Sequence, residues 1–162
     1  MLLPVILIEL KVHHFTRLLE RRAEGLDAIE YETGMRHGFS ERPERNKPRL
    51  ERLKSRELLD FDLITQKLTG LVGTISFCDT TLKNGLESLE LVKDVAQKLM
   101  HNEASSLTGG CSAMPKSLYG RIDYLKALIV GGLKMGRLLD ERTKARRDTV
   151  RGFQAIIARL PQ

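Results

Sequence analysis

Apolar residues recur at alternating steps of three and four along most of this chain, which is the spacing of one buried helix face in a bundle. The longest uninterrupted run lies between residues 61 and 99. Its apolar or small positions are Phe61, Ile64, Leu68, Leu71, Ile75, Cys78, Leu82, Gly85, Leu89, Val92, Ala96 and Leu99. The run predicts one long helix from about Arg49 to His101.

A second helix is predicted before this run, from about Leu3 to Tyr31. Its apolar face is interrupted at Arg22 and consists of Ile8, Val12, Phe15, Leu19, Leu26 and Ile29. Residues 33–48 and 102–115 are rich in glycine and proline or in small polar residues, which predicts loops on either side of the long helix.

The last predicted helix extends from residue 116 to about residue 160. Its apolar face becomes small at Gly132 and Gly136 and polar at Thr143 and Arg146. The segment Gly131–Leu138 superficially looks like a phosphate-binding loop, but it has Arg where that motif has Lys and it follows a helix. We therefore interpret Gly132 and Gly136 as positions of close helix packing.

Helices with sustained apolar faces cannot bury those faces alone, so they are expected to pack on one another at shallow angles. The pattern predicts an all-α fold, an elongated antiparallel three-helix bundle of coiled-coil type. A chain of 162 residues is long enough to bury a core. We predict one helical domain over residues 1–162.

The cysteine count and the length of the apolar runs indicate the compartment in which the protein is expected. Cys78 and Cys111 provide neither a disulfide framework nor a zinc site, so we expect a cytoplasmic, reducing environment. The longest uncharged apolar runs have seven residues, whereas a membrane span needs about 20. We therefore expect a soluble protein, at most peripherally associated with a membrane.

The titratable residues show no recognisable catalytic arrangement. His13 and His14 are adjacent in a helix and so point about 100° apart, while Asp60 and Asp62 are predicted on polar faces. We predict no catalytic, cofactor-binding or metal-binding residue, and hence a protein that is not an enzyme.

Two basic clusters remain as candidate contacts for an anionic partner. The net charge of +6 is mild, and acidic residues are interleaved in both clusters, so solvated helix faces are the favoured interpretation. One cluster spans Arg42–Arg56. The other precedes the apolar turn Phe153–Ala158 and consists of Arg142, Lys144, Arg146, Arg147 and Arg151. It could contact anionic lipid headgroups, and nucleic acid is less favoured because such binders usually have denser basic patches.

Three stretches, LLPVILIELKVHHFTRLLERR, LLDFDLITQKLTGLVGTISFCD and RIDYLKALIVGGLKMGRLLDERTKARRDTVRGFQAIIARLPQ, together resemble the cytosolic helical stalk of the fungal CorA-like magnesium transporter superfamily. In that family the stalk continues into a membrane span with a Gly-Met-Asn-type motif, which this sequence lacks. The resemblance implies a pore-less stalk, whether truncated, split or diverged. It also leaves Mg²⁺ as a possible regulatory ion, without assigned ligands.

The sequence thus predicts a non-enzymatic helical module that acts through helix–helix association. Its expected partner is a second copy, giving a homo-oligomer, or another helical protein. The alternative is a basic helical module that binds nucleic acid or an anionic membrane surface through the cluster that includes Arg142 and Arg151.

Overall fold

The computed structural model describes residues 2–35, 60–105 and 116–159. Over these residues the chain forms three α-helices and no strand. Helix α1 is Leu2–Glu32, α2 is Phe61–Ser105 and α3 is Lys116–Ile157. The predicted all-α class is therefore confirmed.

Helix α1 ends where Gly34 reverses the backbone. Gly34 has a φ of 67°, a left-handed conformation that glycine adopts without the steric penalty of a side chain. The backbone N–H groups of Thr33 and Gly34 donate to the carbonyls of Ile29 and Tyr31, at 2.9 and 3.2 Å. These bonds satisfy carbonyls of the last turn and close the helix.

Helix α2 begins later than the sequence pattern suggested. We placed its start near Arg49, but the described helix starts at Phe61. The Asp60 carboxylate accepts the backbone N–H of Leu63 at 2.9 Å, so Asp60 is the N-cap. The helix continues to Ser105, beyond the predicted end at His101, because the strongest breakers of that loop come only at residues 109–110.

Helix α3 ends three residues before the predicted end at Leu160. The N–H of Ala158 donates to Gln154 at 3.0 Å and that of Arg159 to Ile156 at 3.1 Å. Residues 36–59 and 106–115, which include the cluster Arg42–Arg56 and Cys111, lie outside the described residues.

Tertiary contacts group the chain into two compact units, and each helix contributes to both. Unit 1 comprises Met1–Glu20 and Ile75–Leu138, and unit 2 comprises Arg21–Thr74 and Leu139–Gln162. In each unit all three pairs of helices are in contact. The single domain over residues 1–162 stays a prediction.

In unit 1, α1 and α3 run in the same direction and α2 runs against both. Near the start of the two parallel helices Glu9 pairs with Arg121, and further along Leu19 packs against Gly136. Among the described residues the fully buried side chains of this unit are all apolar. They are Val5, Val12, Leu19, Ile75, Cys78, Leu82, Leu89, Ala96, Leu118, Ile122, Leu125 and Ile129.

Unit 2 has a core in which polar and apolar side chains are mixed. Its buried apolar residues are Leu26, Ile29, Met35, Ile64, Leu68, Leu71, Leu139 and Val150. Thr33 and Thr143 are buried with them and donate to carbonyls four residues earlier in the chain, at 2.7 and 2.6 Å. Glu30 is also buried and differs from both threonines, because its partners belong to another helix.

Candidate interaction site

The two glycines predicted for close packing lie in the core of unit 1. A Cβ added to Gly132 would lie 3.0 Å from Leu82 Cδ1 and 3.8 Å from Thr16 Oγ1. At Gly136 the nearest atoms are the methyl groups of Leu19, at 4.0 Å. The closest packing therefore occurs at Gly132, where α3 meets both other helices, and Gly136 leaves room for a methyl group.

Two members of the predicted anion-contacting cluster face into unit 2. The Nε atoms of Arg142 and Arg146 both donate to Glu30 Oε1, each at 2.8 Å. Arg142 Nη2 donates to the second oxygen of Glu30 and to Asp27 Oδ1. This Glu30 network, which consists of Asp27, Glu30, Arg142 and Arg146, satisfies a carboxylate that is 1% exposed.

The Glu30 network changes the pKa values of Glu30 and Arg142. Burial alone would raise the pKa of Glu30, but hydrogen bonds and charge from Arg142 and Arg146 outweigh it and hold the pKa below its ordinary value. The bond to Glu30 is also the main reason that the pKa of Arg142 is raised. Glu30 is thus an anion at neutral pH, paired with two cations.

The other three cluster residues are placed differently. Lys144 pairs with Asp140 one turn earlier in α3, at 2.6 Å. Arg147 has a buried Nε without a hydrogen-bond partner among the described residues, and Arg151 is exposed. Of the five cationic side chains predicted to meet an anionic partner, three are therefore neutralised by carboxylates within unit 2.

Sequence reasoning missed Glu30 and Asp27 as partners of these arginines. Glu30 follows the core position Ile29, and Arg142 precedes the core position Thr143, so both flank the buried face. Charged residues at such flanking positions commonly form ion pairs between helices. The flanking positions of Glu30 and Arg142 therefore indicate that each could form an ion pair with another helix. The spacing within one helix does not say which residues of another helix lie opposite.

The outer side of α1 in unit 1 carries an unpredicted apolar surface. Its side chains are exposed, at 68% for Leu3, 37% for Ile6, 53% for Leu7 and 63% for Leu10. We call these four residues the aliphatic stripe. They are spaced i, i+3, i+4 and i+7, so they form one continuous face. Val5 is fully buried and marks the opposite, core-facing side of the same turns.

The remaining residues considered for chemistry serve structural roles or are exposed. His13 and His14 are both exposed, Asp60 caps α2, and Asp62 accepts a hydrogen bond from Gln154 at 3.0 Å. The segment Gly131–Leu138 lies within α3, so its helical backbone excludes a phosphate-binding loop.

The described residues contain neither a group of metal-ligating side chains nor a helix suited to span a membrane. Within residues 2–35, 60–105 and 116–159 no three His, Cys, Asp or Glu side chains are grouped as a metal ion would require. Over the same residues no helix has the length and apolar character needed to cross a membrane.

Comparisons with protein-family models, with curated proteins and with solved structures find no match for this chain. The resemblance to the CorA-like stalk therefore stays a prediction from the sequence. Among the described residues, the aliphatic stripe is the most distinctive exposed surface.

Proposed function

We propose that the chain is a non-enzymatic helical module that acts through helix–helix association, with the aliphatic stripe as its contact surface. The observation that carries this proposal is the spacing of Leu3, Ile6, Leu7 and Leu10. Anchors at i, i+3, i+4 and i+7 are those that one helix uses to dock on another. Contiguous exposed apolar surface of this kind commonly marks a binding site.

The partner that we propose is the same stripe on a second copy. A twofold axis through the stripe would bring its centre, near Ile6 and Leu7, against itself. Glu9, the nearest described carboxylate, is paired with Arg121 in its own unit, so unpaired carboxylates would not oppose each other there. Four aliphatic side chains offer well under the ~800 Å² per partner of a standard interface, so association should be weak and concentration-dependent.

The electrostatic alternative has less support. Binding of nucleic acid or anionic membrane needs cations free to contact phosphates. Arg142, Arg146 and Lys144 are paired with carboxylates, which leaves Arg147 and Arg151 as the candidate contacts from that cluster. The proposed association is also compatible with the resemblance to a transporter stalk, because such stalks pack as subunits.

Sedimentation equilibrium over a wide range of protein concentrations tests the proposal. The wild-type chain should show a reversible monomer–dimer equilibrium, and the double variant Leu7→Ser, Leu10→Ser should remain monomeric. The matched control is Leu138→Ser, which removes a leucine that is 67% exposed on α3 of the same unit and should dimerise like the wild type. A wild-type chain that stays monomeric, or a double variant that dimerises equally, contradicts the proposal.

A further inference from the structure

Unit 1 contains a groove between α1 and α2 with a volume of about 160 Å³. Its apolar lining includes the buried side chains of Val12 and Leu82 and the half-buried ring of Phe15. Phe15 is held edge-on against Phe77, with ring centroids 5.7 Å apart. Phe15 therefore adds an aromatic ring, in contact with Phe77, to the apolar wall of the groove.

Gly85 of α2 is one of the residues that line the groove. Gly85 occupies the step between Leu82 and Leu89 on the buried face, where most positions of α2 carry a larger side chain. A Cβ at Gly85 would meet Ile129 Cδ1 at 3.7 Å, which is ordinary contact. Glycine at this position keeps a larger side chain out of the groove lining.

Polar groups surround the mouth of the groove, and one of them is cationic. Lys11 is an exposed lining residue, and no carboxylate in the described part of the chain pairs with it. The hydroxyl of Ser88 donates to the carbonyl of Asn84 at 2.8 Å, so its proton is already used. Asn84 also lines the groove, and its side-chain amide is a neutral hydrogen-bond donor.

We propose that this groove binds a small aromatic or branched aliphatic monocarboxylate. The carboxylate would pair with Lys11 at the solvent-exposed mouth, where its charge need not be buried. The apolar body would lie against Val12, Phe15 and Leu82. A cavity of about 150 Å³ accommodates a benzene ring, so benzoate has the right size. The groove shares no lining residue with the aliphatic stripe, although Lys11 lies one turn after Leu7 on α1.

Titration with benzoate, followed by chemical shifts of backbone amides or by calorimetry, tests the assignment. Saturable binding with a dissociation constant of about 1 mM or lower is expected, consistent with a ligand of this size. Lys11→Met keeps the aliphatic stem and should weaken binding about threefold to fivefold. Benzyl alcohol, the neutral analogue, should bind the wild type more weakly than benzoate and should not distinguish the wild type from Lys11→Met.

Two further variants locate the site. Gly85→Leu fills the groove and should abolish binding. Lys83→Met removes a neighbouring surface cation that pairs with Asp79 and should leave binding unchanged. If Gly85→Leu does not retain wild-type helicity, Ser88→Leu blocks the groove from its half-buried rim instead. Absence of saturable binding, equal weakening by Lys11→Met and Lys83→Met, or binding that survives a blocked groove would each overturn the proposal.

Discussion

Glu30 of α1 and Arg146 of α3 form a charged hydrogen bond of 2.8 Å in which the carboxylate is almost completely buried. The same carboxylate binds Arg142 one turn earlier in α3. A buried ion that is bonded on both oxygens is satisfied in one alignment of the two helices, and a shift of either helix would leave it unpaired. The Glu30 network therefore defines how α1 and α3 align within unit 2.

Removal of the buried carboxylate should destabilise the protein strongly. Glu30→Ala leaves two arginines without their shared acceptor, and breaking such a pair costs about 3 kcal/mol, near the low end for buried ion pairs because Arg142 is partly exposed. Asp27→Ala, which removes the exposed partner of Arg142, should cost less than about 1 kcal/mol. Urea denaturation measures both free energies of unfolding. If both variants lose the same free energy of unfolding, the burial of Glu30 adds nothing to the stability that its ion pairs provide.

Acid should remove the stabilisation that Glu30 supplies. Its pKa is lowered in the folded protein, so the contribution is complete above the unfolded value of about 4.3 and is lost as the pH falls through the lower, folded value. The difference in unfolding free energy between the wild type and Glu30→Gln should therefore shrink below about pH 4. Urea denaturation across that range provides the comparison. A difference that stays constant with pH would contradict an ionised Glu30.

The two core glycines of α3 should respond differently to alanine. Gly136→Ala places a methyl group at ordinary distance from Leu19 and gains helix propensity, so it should stabilise by up to about 1 kcal/mol. Gly132→Ala must displace the buried side chain of Leu82, which offsets that gain. Thermal unfolding should rank Gly136→Ala above Gly132→Ala. The reverse order would show that Leu82 moves without cost.

The start of α2 should depend on its cap. Asp60→Ala removes the acceptor for the N–H of Leu63 and should cost about 1 kcal/mol, whereas Asp60→Ser keeps a capping oxygen and should cost less. Chemical denaturation with both variants gives the comparison. Similar stability of the alanine and serine variants would argue against Phe61 as the first residue of this helix.

Much of the fold follows from apolar spacing alone. Leu19 and Leu26 on α1, and the α2 positions from Ile64 to Ala96, were expected in the core and are mostly buried or half-buried. Within a bundle, the residues that a helix buries follow from the periodicity of its own sequence. They can therefore be predicted from each segment separately. The start of α2 differs from the prediction near Arg49 because the Asp60 side chain caps the helix at Phe61, and an N-cap is a local feature that apolar spacing does not show.

The surfaces were harder to anticipate. Arg142 and Arg146 read as part of a solvated basic face, because the position of Glu30 opposite them depends on how two helices align. The aliphatic stripe was missed for a related reason. Leu7 and Leu10 belong to an apolar opening segment, and only the packing of α1 decides which of its residues face outwards. The partners of Arg142 and Arg146, and the residues of α1 that face outwards, are therefore set by packing between helices, which the sequence pattern does not show.

Disulfide trapping between two copies tests the proposed association most directly. Leu7→Cys and Leu138→Cys place single thiols on the stripe and on the control surface, each in a Cys111→Ser background that keeps the buried Cys78. A twofold axis through the stripe brings the two copies of residue 7 close enough for a bond, which needs Cβ atoms about 4 Å apart. If two copies associate through the stripe, Leu7→Cys should form a covalent dimer rapidly under mild oxidation, while Leu138→Cys should do so slowly. Equal rates at the two positions would contradict the proposed association.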